Sequence, residues 1–309
     1  MTRAQVRAYS GVFPIAPTPF TASGALDLEG QRRVLDCMID QGVDGICILA
    51  NYSEQFLLSD EERELLLDLC LAHVADRLPV IVTCSHFSTK IAVARAKQAA
   101  IAGAAMLMLM PPYHGAFLRA DETGVIEHFS AVSDAVDIPI MVQDAPLSGV
   151  TLSVSLLARL AQSMPQVRYF KIETPAAADK LRALIAAGGD AVEGPFDGEE
   201  SITLMADLAA GANGTMPSAM LPDLIKPVVT DYLAGRSPQA SEGYARILPL
   251  INYENRQCGL RATKVIMQHG GVIASEAVRH PLTPLPPATR AGLLELAAAV
   301  NPLALHWGH

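Results

Sequence analysis

The 309-residue chain has few aromatic residues (5%), little charge (18% Asp, Glu, Lys and Arg) and a shortage of cations. Its 23 Lys and Arg stand against 32 Asp and Glu, a formal charge of −9. A surface of that sign does not draw nucleic acid or an anionic membrane, although a few local donors suffice for a small anion. Neither a nucleic-acid partner nor a membrane partner is expected. No CxxC, HExxH or DxDxDG sequence occurs, so no metal site is expected. No GxGxxG or Walker sequence announces a nucleotide-binding turn. No apolar run approaches the roughly 20 residues of a membrane span; the stretch Ile101–Met110 is interrupted by Gly103 and stopped by Pro111-Pro112. Met1–Ser10 carries Arg3 and Arg7 without an apolar h-region, so no secretory signal and a cytoplasmic location are expected. The cysteines are five and odd in number (Cys37, Cys47, Cys70, Cys84 and Cys258), most of them inside apolar runs. Buried free thiols in a reducing compartment are the expectation. Cys84, beside Ser85 and His86, is a weak candidate nucleophile because no base is placed for it.

Half of the residues are apolar, which excludes wholesale disorder. Short apolar runs recur, each followed by an amphipathic segment. The runs are Gly11–Ala16, Gly45–Leu49, Pro79–Thr83, Ala105–Met110, Ile138–Val142, Val167–Ile172, Ala191–Glu193 and Ala212–Met216. The helix following the second run has a capping box, Ser59 with Glu62 three residues on. Several of the strands are apolar almost throughout, as strands covered on both faces are. Eight strand–helix units in about 230 residues is the arithmetic of a (β/α)8 TIM barrel; a doubly wound open sheet is the rival. After Arg236-Ser237-Pro238 the pattern becomes helical only. The expected organisation is an α/β barrel over 1–236 and a C-terminal helical appendage over 237–309, packed on the barrel.

In a barrel the reactive groups lie at the carboxyl ends of the strands. That rule selects Asn51, Tyr52, Ser53 and Glu54 after strand two, and Cys84, Ser85 and His86 after strand three. It selects Tyr113 and His114 after strand four, Gln143 and Asp144 after strand five, and Lys171 and Glu173 on strand six. Phe196, Asp197 and Glu200 follow strand seven, and Thr215 and Ser218 follow strand eight. Lys171 is the most informative, a lysine inside the apolar run Tyr169-Phe170-Lys171-Ile172. A snorkelling edge lysine is the bland alternative, and it sits badly in a strand covered on both faces. Desolvation is expected to lower its pKa and supply a free amine able to form a Schiff base with a ketone.

These residues, taken in order, resemble the class I Schiff-base lyases related to dihydrodipicolinate synthase and N-acetylneuraminate lyase. The matching features are Gly11 with Pro17-Thr18-Pro19-Phe20, Ala50-Asn51-Tyr52-Ser53-Glu54, Pro111-Pro112-Tyr113, the strand-six lysine, Gly211-Ala212-Asn213-Gly214-Thr215 and the helical C-terminus. The resemblance covers nearly the whole chain. It implies a 2-oxo acid substrate, an imine on Lys171, no metal or other cofactor, and a homo-oligomer (dimer or tetramer). It implies catalytic roles for Lys171, Tyr113, Gln143 and Glu173. Tyr113 would belong to a proton relay that in some members is completed by the neighbouring subunit. Substrate binding would fall to Asn51, Tyr52, Ser53, Gly194, Phe196 and Thr215, with the carboxylate held by Tyr52 and Ser53 and their backbone N–H groups.

The departures from the family pattern are informative. Ala50-Asn51-Tyr52-Ser53-Glu54 stands for the usual Gly-Thr/Ser-Thr-Gly-Glu, and Gln143-Asp144-Ala145-Pro146 stands for Tyr-Asn-x-Pro. The arginine usual shortly after that proline is absent, and Ile172, not an acid, follows the lysine. A glutamine cannot act as a general acid or base, which weakens an aldolase reading, since that reaction must deprotonate the C4 hydroxyl. The altered signature, with Phe170-Lys171-Ile172-Glu173-Thr174-Pro175, resembles most the 2-keto-3-deoxy-L-arabonate dehydratase branch. That resemblance implies 2-keto-3-deoxy-L-arabonate going to 2-oxoglutarate semialdehyde and water, with the proton carriers left open among Glu173, Tyr113, Tyr52 and a bound water. An aldolase releasing pyruvate and a non-catalytic 2-oxo-acid sensor are the alternatives.

Overall fold

The computed structural model describes residues 9–115 and 118–309; the leader reading at Met1–Ser10 falls largely outside them. Eight parallel strands run β1 (Gly11–Val12), β2 (Ile46–Ile48), β3 (Val80–Thr83), β4 (Met106–Leu109), β5 (Ile140–Asp144), β6 (Val167–Ile172), β7 (Gly194–Asp197) and β8 (Gly214–Thr215). Their order is sequential, with β8 beside β1. The chain just past β1 closes the ring: Ile15 bridges both Cys47 and Ser218, and the Ala16 N–H donates to the Cys47 carbonyl at 2.8 Å. This is the (β/α)8 barrel that the alternation predicts, and the sequential parallel order excludes a doubly wound sheet.

Helices follow the strands: α1 (Leu28–Asp40), α2 (Asp60–Val74), α3 (Thr89–Ile101), α4 (Glu122–Ser133), α5 (Val154–Ser163), α6 (Ala177–Gly188), α7 (Leu204–Ala209) and α8 (Pro222–Leu233). The predicted capping box is present, Ser59 and Glu62 each bonding the other's backbone N–H. Three further helices, α9 (Ser237–Tyr253), α10 (Arg261–His269) and α11 (Pro287–Val300), come without intervening strands. They are tied to the barrel by hydrogen bonds from the Tyr244 hydroxyl to the Ser201 and Ile202 carbonyls, and from Arg33 to the Gly271 and Val272 carbonyls. Among the described residues no helix is long and apolar enough to cross a membrane. All five cysteines are buried and unpaired. Burial pushes the Cys84 thiol up to about 12, which disqualifies it as a thiolate nucleophile near neutral pH.

Strand alternation divides the core in two. One set points outward against the helices and includes Val82, Leu109, Val142 and Phe170. The other fills the barrel and includes Phe13, Met108, Met141, Tyr169, Phe196 and Met216. On β6 the inward face reads Tyr169, then Lys171. The lysine therefore stands one pleat above an aromatic floor in which Phe13 meets Phe196 edge-on, with centroids 5.6 Å apart.

Two sequence expectations shift. The seventh strand is Gly194–Asp197, not Ala191–Glu193. Gly194 and Pro195 look like strand breakers, yet Gly194 is there for room: a Cβ on it would lie 2.0 Å from Cδ1 of Tyr169. Gly194→Ala is expected to cost about 1–3 kcal/mol through overpacking, read as a lowered melting temperature in a thermal denaturation series. The amphipathic segment expected after the seventh run is broken. Glu199, Glu200 and Ser201 all have positive φ (48°, 58° and 68°), and α7 begins only at Leu204.

Candidate active site at the carboxyl end of the barrel

Lys171 is 3% exposed and is the register partner of Gln143 on β5 and of Phe196 on β7. Glu173 extends the β6 ladder, its N–H donating to the Asp144 carbonyl at 3.0 Å. Two residues on from the lysine, it shares the inward face, and its Oε1 lies 2.6 Å from Lys171 Nζ. An acid at position 172 would point the other way, into the helix layer where Ile172 is buried. Gln143 Nε2 donates to the same Oε1 at 3.0 Å, while its buried Oε1 has no partner among the described residues. Lys171, Glu173 and Gln143 are thus brought together as the sequence suggests.

The pKa expectation for Lys171 is corrected. Burial alone would lower it, but Glu173 and Glu200 outweigh burial and hold the ammonium above its ordinary range. The resting group is an ammonium, and Glu173 is in hydrogen-bonding reach to receive its proton.

Glu200 is the acid that the sequence leaves in the background. It is buried and close enough to Lys171, Glu173 and the Tyr52 phenol to feel all three, and its carboxylate accepts a hydrogen bond from Asn255. Asn255 Nδ2 approaches at 3.2 Å. Burial, partly offset by Lys171, pushes Glu200 up to about 7. Behind it, burial and the charge of Glu200 keep Glu254 well above the usual carboxylate range. Glu200 reaches this position only through the left-handed backbone of 199–201. Three such residues in a row are costly for side chains other than glycine, and the cost is offset where the surrounding structure holds them. Gly198, just before them, is also a spacing residue: a Cβ there would meet Glu173 Cγ at 2.4 Å and Lys171 Cε at 3.1 Å.

After β2 the chain makes a short 3-10 turn, Asn51–Ser53, followed by a second at Gln55–Leu57. Ser53 does not offer the donors expected of it. Its N–H donates to the Ala50 carbonyl at 3.0 Å and its hydroxyl to the Ala16 carbonyl at 2.7 Å. The N–H groups of Asn51 and Tyr52, first in the turn, have no intrahelical acceptor. The Asn51 side chain accepts from Gln55 at 2.8 Å, and the Tyr52 phenol meets Glu200.

The remaining predicted residues lie elsewhere. Thr215 faces outward on β8, with its hydroxyl bonded to Asp197 and at 2.7 Å from Ser201 Oγ. Strand parity puts it with the helices, away from the mouth. Asp197 is fully buried; burial, then the adjoining Asp207 carboxyl, raise its pKa. Gly194 and Phe196 belong to the barrel floor, where Phe196 is fully buried beside Lys171. Tyr113 starts a short hairpin, Tyr113–His114 with Leu118–Arg119, absent from the sequence reading. It borders a separate cavity of about 310 Å³ with Gln55, His86 and Phe87, and no hydrogen bond joins it to Lys171 or Glu173 among the described residues. A cavity of about 390 Å³ opens beside Glu173, lined also by Thr174, Pro175, Glu199 and Arg256. No group of three or more His, Cys, Asp or Glu is arranged to hold a metal among the described residues.

Fold and site together define a barrel enzyme with its working groups at the carboxyl ends of the strands. The chain belongs to the dihydrodipicolinate synthetase family, whose sequence model matches residues 8–300. Along its full length it is 54% identical to an L-2-keto-3-deoxyarabonate dehydratase of Azospirillum brasilense, covering 100% of each chain. It is 32% identical over 276 residues to 4-hydroxy-tetrahydrodipicolinate synthase 2 of Streptomyces coelicolor, covering 87% of this chain and 88% of that one. Among solved structures, the dihydrodipicolinate synthase of Aquifex aeolicus superposes with a TM-score of 0.89 at 25% identity, covering 95% of this chain and 99% of that one.

Proposed function

We propose that this protein is a Schiff-base dehydratase converting 2-keto-3-deoxy-L-arabonate to 2-oxoglutarate semialdehyde and water. The observation that carries the reading is Gln143 beside Lys171, where the family's phenol usually stands. It orients Glu173 and cannot itself take a proton. The 54% identity to the Azospirillum brasilense enzyme supports the same substrate.

The carboxylate of the substrate docks on the N–H groups of Asn51 and Tyr52. Glu173 takes a proton from the Lys171 ammonium, and the free amine adds to the C2 carbonyl. Loss of water from that adduct gives the iminium. The iminium acidifies C3, and Glu173, having returned its proton, removes one from C3 to give the enamine. Glu200, with a pKa near 7, is half protonated near neutral pH. It gives its proton to the C4 hydroxyl as the C4–O bond breaks and water leaves. The unsaturated imine then loses a proton at C5 and gains one at C3. The resulting C4–C5 enol becomes the aldehyde on protonation at C4, and water hydrolyses the imine to release product and amine. The unpartnered Gln143 Oε1 is placed to accept a hydrogen bond from a substrate hydroxyl. The sequence runs on the lysine imine without a metal or other cofactor, so dialysis against a chelator is expected to leave turnover unchanged.

The reading extends to a cytoplasmic homo-oligomer, dimer or tetramer, in pentose breakdown. Three large apolar side chains near the mouth, Phe56, Leu118 and Leu147, are each more than half exposed, which suits a face covered by another copy. Product analysis tests the function. Purified protein given a panel of C5 and C6 2-keto-3-deoxy acids is expected to form semialdehyde from the C5 L-arabonate acid. Pyruvate release would instead establish the aldolase, and inertness to the whole panel would establish the sensor.

A further inference from the structure

One buried ionic cluster lies outside the catalytic groups. Glu54, immediately after the Asn51–Ser53 turn, is fully buried and has a left-handed backbone (φ 57°). Leu49, just before the turn, has the same conformation (φ 57°). The turn is therefore bracketed by two residues in a conformation that side chains other than glycine seldom adopt. On its first side it is tied to the chain after β1, through the Ser53 hydroxyl on the Ala16 carbonyl and the Thr18 hydroxyl on the Ser53 carbonyl at 2.8 Å.

On its second side it is held by the C-terminal extension. Lys264 on α10 is fully buried, and its ammonium is paired with Glu54 Oε1. The same ammonium donates to the Ala277 carbonyl at 3.0 Å. The other carboxylate oxygen of Glu54 accepts the Arg279 N–H at 3.2 Å. The Phe20 ring packs against both cations, its centroid 4.2 Å from Lys264 Nζ and 4.3 Å from Arg279 Cζ. The Arg279 guanidinium is in turn anchored to both oxygens of Glu62 at 2.5 Å. A buried ion pair is weak as a source of stability, because desolvation offsets the attraction and an apolar pair of similar volume often does as well or better. Its better-attested use is to fix one arrangement of the chain among several.

We propose that Glu54 and Lys264 are positioning residues for the turn that receives the substrate carboxylate, which makes the C-terminal helical extension part of the active site. The proposal rests on the assignment of that turn under the proposed function. Neither residue touches the substrate. Together they fix the direction of the Asn51 and Tyr52 N–H groups, so their loss weakens capture of the 2-oxo acid more than it slows the chemical steps.

The test compares wild type, Lys264→Met, Glu54→Gln and the double variant Glu54→Met/Lys264→Met. KM and kcat are measured for 2-keto-3-deoxy-L-arabonate, with half-saturating pyruvate in borohydride inactivation as a binding readout free of turnover. Lys264→Met is expected to raise both half-saturation values about tenfold, equivalent to about 1.4 kcal/mol, with kcat little changed. Glu54→Gln, which keeps an acceptor for Arg279, is expected to raise them less, and it carries the test if Lys264→Met does not fold. The double variant is expected to regain the melting temperature without regaining half-saturation. Unchanged half-saturation in the folded variants, or a double variant that regains both properties together, overturns the positioning role. Wild-type turnover is the control: its absence overturns the reading of the site, whereas wild-type turnover with unaltered variants overturns the positioning role alone.

Discussion

Lys171→Met is expected to abolish turnover, lowering kcat by on the order of 10⁴-fold or more, the scale seen when a covalent nucleophile is removed. Methionine keeps most of the volume and removes the only atom able to form the imine. The effect will be chemical and not a collapse of the barrel. Lys171 pulls the pKa of Glu200 down from where burial would set it, so Glu200 rises further once the lysine is gone. An acid left unpaired in such a site takes up a proton instead of remaining buried and charged. The melting temperature at pH 6 is therefore expected to change little, and a stability measurement beside the rate assay separates lost chemistry from lost fold. Residual turnover within tenfold of wild type would show that another group carries the substrate.

Glu200→Gln carries the second large effect. A positioned general acid contributes about 10²- to 10⁴-fold, and the loss in kcat is expected in that range. The pH profile supplies the sign. Glu200 works in its protonated form and has a pKa of about 7, so wild-type kcat/KM is expected to fall as the pH rises through 7. In Glu200→Gln the side chain no longer titrates, and that alkaline limb is expected to vanish from whatever activity remains. An alkaline limb unchanged in Glu200→Gln would move the acid role to another group.

The lysine was legible in the sequence because strand alternation and burial leave few explanations for a lysine between Phe170 and Ile172. Glu173 was legible for the same reason: a two-residue step keeps it on the lysine's face of the strand. Gln143 followed from its place at the end of β5. Glu200 was weakly legible, since nothing in Gly198-Glu199-Glu200-Ser201 advertises three left-handed residues; such conformations are usually announced by glycine or asparagine. The placement of Thr215 went astray because strand ends alone do not give parity. Once β8 pairs Thr215 with Asp197, its hydroxyl is committed outside the barrel. Ser53 shows a different limit. Its donors face the right region, but the Ala50 and Ala16 carbonyls have already engaged them.

The pKa of Lys171 illustrates how close packing decides between opposing effects. Desolvation is correctly inferred from a buried strand, and it does act to lower the value. Two carboxylates brought in from beyond β6 and β7 reverse the outcome, and only the folded chain shows them. The consequence is mechanistic: the amine is generated in the site by transfer to Glu173 and is not present at rest.

The imine on Lys171 is the claim on which the rest depends, and reduction traps it directly. The protein is incubated with pyruvate or with 2-keto-3-deoxy-L-arabonate, treated with borohydride, digested and analysed by peptide mass spectrometry. The account predicts a single reduced adduct on the peptide containing Lys171, formed in step with loss of activity. No adduct, or an adduct confined to Lys180 or Lys264, would contradict it.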